Sequence, residues 1–68
     1  MSIAKVTEIT AQSSTSFEDA IEKGMARAAK TLKNVQSAWI KEQKVSCDEN
    51  GRITAYRVDM KVTFLLED

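Results

Sequence analysis

Residues 48–66, DENGRITAYRVDMKVTFLL, decide how this chain folds. From Tyr56 onward apolar and polar residues alternate. Tyr56, Val58, Met60, Val62, Phe64 and Leu66 face one way, and Arg57, Asp59, Lys61 and Thr63 face the other. A period of two belongs to a strand, so 53–66 reads as a strand with one long apolar face. The preceding Asp48-Glu49-Asn50-Gly51 is a hairpin signal, because Asn and Gly accept the positive φ that a tight connection demands. Residues 35–47 then read as the partner strand.

Working back from the hairpin, the apolar set Phe17, Ala20, Ile21, Gly24, Met25, Ala28 and Leu32 steps by three and four. That spacing lays one stripe along a helix from about 16 to 33. Thr15 with Glu18 has the spacing of a capping box, and Ser16 with Asp19 offers a second register. Glu18, Asp19 and Glu22 come early and Arg27, Lys30 and Lys33 late, which suits the helix dipole. Gly24, in the middle of the stripe, is costly in a helix and points to a close approach between helix and sheet. Asn34 can end the helix. Residues 3–11, IAKVTEITA, are rich in β-branched types and read as a first strand, and QSSTS at 12–16 as the turn that follows it.

The order is therefore β-α-β-β, an α+β chain. If all neighbouring strands are antiparallel, the third lies between the first and second, giving sheet order 1-3-2 with the helix on its apolar face. With no Pro, repeat or break in composition, residues 1–68 are expected to form a single domain.

Composition narrows the function. Ten Lys and Arg balance ten Asp and Glu, which argues against a nucleic-acid binder. No apolar run approaches the roughly 20 residues needed to span a bilayer, and the N-terminus lacks a signal-peptide core, so a cytoplasmic protein is expected. Cys47, the single cysteine, cannot form an internal disulfide, and the acidic residues beside it disfavour a reactive thiolate. With no His and one Cys, neither a structural zinc site nor a His-based nucleophile pair can be built. Scattered carboxylates give no case for an enzyme. A domain this small, without disulfide or metal, gains firm stability most readily by association.

The hairpin register decides where Trp39 points. A two-residue Asn-Gly turn would set Trp39 opposite Val62, on the helix side. A three-residue loop, Glu49-Asn50-Gly51 with Gly in the left-handed position, sets it opposite Lys61. The second register is preferred. It places Ala38 and Ile40 on the core side and Lys41 opposite Asp59, an attractive pair. Trp39 then stands on the outer sheet face with Ser37, Lys41, Gln43, Arg57, Asp59 and Lys61. An indole left bare there calls for a cover, either another subunit or a flat ligand.

From Ile3 to Leu66 the chain resembles the dodecins. The resemblance is carried by Ser13-Ser14-Thr15-Ser16-Phe17 leading into the helix, Ala28-Ala29-Lys30-Thr31-Leu32 at its end, and the closing Tyr56-Arg57-Val58-Asp59-Met60-Lys61-Val62-Thr63-Phe64. It implies a hollow homododecamer without catalysis. It also implies a flavin such as FMN or riboflavin stacked at subunit interfaces between tryptophans of neighbouring copies.

Two positions depart from the flavin-binding pattern. Where that pattern has its stacking Trp this chain has Ser37, with Trp39 two residues further on, about 6–7 Å along the strand on the same face. Where it has a Gln that hydrogen-bonds the flavin edge, this chain has Arg57, which donates but cannot accept. The candidate binding residues are therefore Trp39 as a stacking platform, Arg57 and Ser37 as hydrogen-bonding groups, and Glu42, near an acidic position that relatives use for the ligand's polar tail. The plainer reading of each is an interface plug for Trp39, an ion pair for Arg57, a small space-making residue for Ser37 and a solvated charge for Glu42. The alternative function is a flavin-free relative whose pocket is interface packing or takes another ligand or an ion such as calcium. The Asp48–Gly51 loop itself lacks the ligand spacing of an EF-hand and reads as a plain turn.

Overall fold

The computed structural model describes residues 2–66. Strand β1 (Ala4–Ser13) is followed by helix α1 (Phe17–Thr31), then by β2 (Val35–Cys47) and β3 (Ile53–Leu65). The sheet is antiparallel throughout, in the order β1-β3-β2. The order expected from the sequence is the order observed. β1 runs on to Ser13 rather than stopping at Ala11, since Gln12 and Ser13 still pair with Arg57 and Tyr56.

Of the two capping registers, the helix uses Ser16. Its backbone is extended at φ −169°, and its Oγ accepts the Asp19 N–H at 3.0 Å. The Asp19 carboxylate does not fold back onto the cap. It accepts the hydroxyl proton of Ser13, whose Oγ in turn accepts the Thr15 N–H at 2.9 Å. Ser13 thus ties the end of β1 to the start of α1. The helix stops two residues short of expectation because Leu32 is already extended (φ −106°, ψ 130°), its N–H making the last bond back to the Ala28 carbonyl. Asn34 takes the left-handed conformation at φ 60°. It turns the chain into β2, and its carbonyl accepts the Leu65 N–H at 3.0 Å, so it serves the sheet more than the helix.

α1 lies across β1 and β3. Ala20, Val58 and Met60 are fully buried between the layers, with Ile9, Ala11, Phe17, Ile21, Met25 and Ile40 packed around them. Phe17 and Tyr56 meet edge to face at 5.2 Å, a favoured aromatic geometry. Gly24 has the role its position suggested. A Cβ there would stand 2.6 Å from Met60 Cε and 2.9 Å from Ala11 Cβ.

The β2–β3 turn is the three-residue loop. Asp48 N–H donates to the Arg52 carbonyl at 2.9 Å, Gly51 has φ 79°, and Asp48 Oδ1 accepts the N–H groups of Asn50 and Arg52. Asp48 is therefore spent on the turn. From Lys41 to Cys47 every residue of β2 is exposed. The hairpin half reaches well past the helix and gives the chain a longest dimension of 53 Å.

Candidate functional site on the outer sheet face

The register at Trp39 follows the preferred reading. Ala38 pairs with Val62, Trp39 with Lys61 and Ile40 with Met60. Beyond Ile40 the register slips by one, and Glu42, not Lys41, lies opposite Asp59. Lys41 is the extra residue of a β-bulge, so the expected Lys41–Asp59 pair does not form. Its ammonium reaches Glu8 instead, at 3.9 Å. The same slip pairs Gln43 with Val58 and so moves Gln43 to the helix side, while Lys44 comes opposite Arg57 on the outer face. A second irregularity between Ser46 and Cys47 restores the offset that the loop demands. The two slips compensate, which is why the loop alone still placed Trp39 correctly.

Cross-strand partners share a face, so the outer surface can be read from the register. β1 contributes Glu8, Thr10 and Gln12; β3 contributes Arg57, Asp59, Lys61 and Thr63; β2 contributes Ser37, Trp39, Lys41, Glu42 and Lys44. Trp39 is 63% exposed. Lys61 Nζ sits 5.5 Å from the centroid of its ring, within range of a cation–π attraction.

Further along, a shallow depression of about 250 Å³ is lined by Thr10, Glu42, Lys44, Arg57 and Asp59. Its charges are arranged against the usual preference of a sheet. Glu42 faces Asp59 and Lys44 faces Arg57 directly across the strands, and like charges so placed repel. Arg57 does not settle onto either carboxylate. Gln12 Oε1 accepts both its Nε–H (3.3 Å) and an Nη2–H (3.0 Å). Asp59 Oδ1 is closed off from solvent and has no hydrogen-bond partner among the described residues. A buried acceptor left unpaired costs about 1–3 kcal/mol.

Of the four residues singled out from the sequence, all face outward, but they do not converge within one chain. Glu42 and Arg57 share the depression. Ser37 and Trp39 lie beside Thr63 and Lys61, and Lys61 is four residues from Arg57, about 13 Å along β3. The arrangement can stack a flat ring at one end and form hydrogen bonds of both senses at the other. Thr10, Lys44, Asp59, Lys61 and Gln12 complete it. Gln12 is out of reach of the sequence because the polar run 12–16 has the composition of a turn, and only pairing with Arg57 makes Gln12 part of β1. Asp59 stands on the expected face, opposite Glu42 rather than Lys41. Among the described residues no three His, Cys, Asp or Glu side chains gather as a metal cage.

The model of the dodecin family matches residues 3–67. The chain belongs to the dodecin family. It is 36% identical over 64 residues to the calcium dodecin of Mycobacterium tuberculosis, covering 94% of this chain and 89% of that one. Solved dodecins have the same fold. One from Streptomyces davaonensis superposes with a TM-score of 0.91 at 31% identity, over 98% of this chain and 97% of its own. A point mutant of the Thermus thermophilus dodecin gives 0.92 at 32%, over the whole of both chains. None of these dodecin names carries an enzymatic activity.

Proposed function

We propose that the chain is a non-catalytic, cytoplasmic binding protein that assembles as a hollow homododecamer and holds a flavin, FMN or riboflavin, at its subunit interfaces. One observation carries the reading. The chain's only Trp stands bare on the face of the sheet opposite its helix, and an aromatic of that size gains a few kcal/mol when covered. A second copy brought against this face would bury the indole and could trap flat rings between paired indoles. Trp39 is the platform, with Ser37 giving clearance beside it. Arg57 and Glu42 are the polar contacts, reached by a ligand spanning more than one subunit. Close stacking would also quench the excited flavin, which suits storage without photochemistry. Among the described residues no helix is long and apolar enough to cross a membrane.

The test is a visible spectrum of the protein as purified from cells, taken with titration of riboflavin into the colourless fraction. A yellow particle, or loss of flavin fluorescence on titration, is the expected result. Unchanged fluorescence would refute the flavin reading.

A second reading is favoured by one specific observation, the facing carboxylates of Glu42 and Asp59. A relative named calcium dodecin makes a cation the natural alternative guest. Calcium takes six to eight oxygens, so this pair would need carboxylates or carbonyls from other subunits. Calcium-dependent stabilisation of the assembly, abolished by Glu42→Gln, would favour this reading over flavin.

A further inference from the structure

Resting on the ring-binding reading above, we infer that Lys61 makes the Trp39 platform selective for charge, so that an anionic planar guest is held in preference to a neutral one. Lys61 lies at the centre of a row that crosses the outer face, opposite Glu8 of β1 on one side and Trp39 of β2 on the other. Its ammonium turns to the indole and stands 5.5 Å from the ring centroid. The next row, Val6, Thr63 and Ser37, carries no charge. The indole therefore has an uncharged shelf along one edge and a cation at its ring. A flat guest can lie over Trp39 and the shelf, and an anionic substituent on it meets the ammonium. A neutral ring has no such partner and must displace the cation–π contact to cover the indole. Both side chains are open to a guest. Trp39 is exposed and Lys61 half-buried, where solvent and salt screen a charge less than on the open surface.

The obvious competitor is an ion pair between Lys61 and Glu8, its direct partner on β1, which would consume the charge. It does not form. Among the described residues the ion pairs are Lys23–Asp19 and Lys41–Glu8, and neither includes Lys61. Glu8 is engaged by Lys41, whose ammonium reaches it at 3.9 Å. To do so Lys41 crosses β3 from β2 to β1, two strand spacings or about 10 Å. It can make that crossing because it is the bulge residue, with no partner of its own in β3. A plain ladder would set it against Asp59 and leave Glu8 to Lys61. Lys41 is thus a positioning residue. Its effect is to occupy Glu8 and leave the Lys61 ammonium to the indole.

The experiment compares lumiflavin, an uncharged isoalloxazine, with its N10-carboxymethyl analogue, the same ring with one added carboxylate. Each is titrated into the native assembly and read by quenching of flavin fluorescence. The anionic flavin is expected to bind about tenfold more tightly at low salt, with the gap narrowing as salt is raised. Lys61→Met, or Lys61→Gln, should bring the two flavins within about twofold of each other, chiefly by weakening the anionic one. Lys41→Met should narrow the gap while leaving Lys61 in place, since Glu8 is then released to pair with it. Equal binding of the two flavins by the unmodified protein would overturn the inference while leaving the ring-binding reading intact. A gap that survives removal of the Lys61 charge would overturn it as well. The comparison in the unmodified protein stands even if a variant fails to assemble. If neither flavin is quenched, the ring-binding reading falls, and this inference with it.

Discussion

Glu42 faces Asp59 across the outer side of the sheet because Lys41 is inserted ahead of it as a bulge. Bulges re-aim side chains and gather near functional sites. Here the outcome is a like-charge pair that a plain ladder would have avoided by setting Lys41 against Asp59. Glu42→Gln should therefore stabilise the unliganded protein by about 0.2–1 kcal/mol. Thermal melts at low and high salt would check it. The gain should shrink as salt screens the repulsion.

Gly24 is fixed by the distance between helix and sheet. Ala there would gain about 1 kcal/mol of helix propensity. Its methyl would, however, overlap Ala11 Cβ and Met60 Cε, and overpacking costs about 1–3 kcal/mol. Gly24→Ala is expected to lower the denaturation midpoint despite the better helix former, and Gly24→Val to lower it further. A rise in stability for Ala would mean that helix and sheet separate easily.

Ser13 links acid sensitivity to the start of the helix. Its hydroxyl, then the Lys23 ammonium at 3.0 Å, hold the Asp19 carboxyl below its ordinary value of 3.8. A group depressed on folding stabilises the fold above its unfolded value, and that stabilisation drains away as the pH falls through the folded value. Ser13→Ala should thus be less stable than the unmodified protein at neutral pH, with the difference narrowing below pH 3.8 to what the lost Thr15 N–H bond leaves. Paired urea titrations across that range would measure it. A difference that grows in acid would contradict the assignment.

Asn34 tests the turn into β2. At φ 60° a β-branched residue is strained, and left-handed backbone costs an ordinary residue about 1–2 kcal/mol. Asn34→Val should lose at least that much in a denaturant melt. Asn34→Gly should lose less, because Gly carries no such penalty.

Much of this architecture was legible because the signals are local and periodic. The alternation through Tyr56–Phe64, the three-and-four spacing from Phe17 to Leu32 and the Asn50-Gly51 turn each specify an element on their own. Gly24 even announced the helix–sheet contact. The bulge at Lys41 was not legible. Nothing in Ile40-Lys41-Glu42 marks an extra residue, and charge matching favoured a Lys41–Asp59 pair that the slip beyond Ile40 replaces with Glu42–Asp59. The Gln12–Arg57 contact stayed hidden for a related reason. The polar run from Gln12 to Ser16 looks like a turn, and only pairing with β3 extends the strand through its first two members. The site therefore had its face and its indole readable in advance, while the partners of Arg57 and Asp59 depended on tertiary registration.

The most direct test of the account is the native mass of the protein by sedimentation velocity at micromolar concentration. The account predicts a particle of twelve 7.6 kDa chains with Trp39 fluorescence shielded from an aqueous quencher. A stable, folded species of 7.6 kDa with freely quenched Trp39 would contradict it.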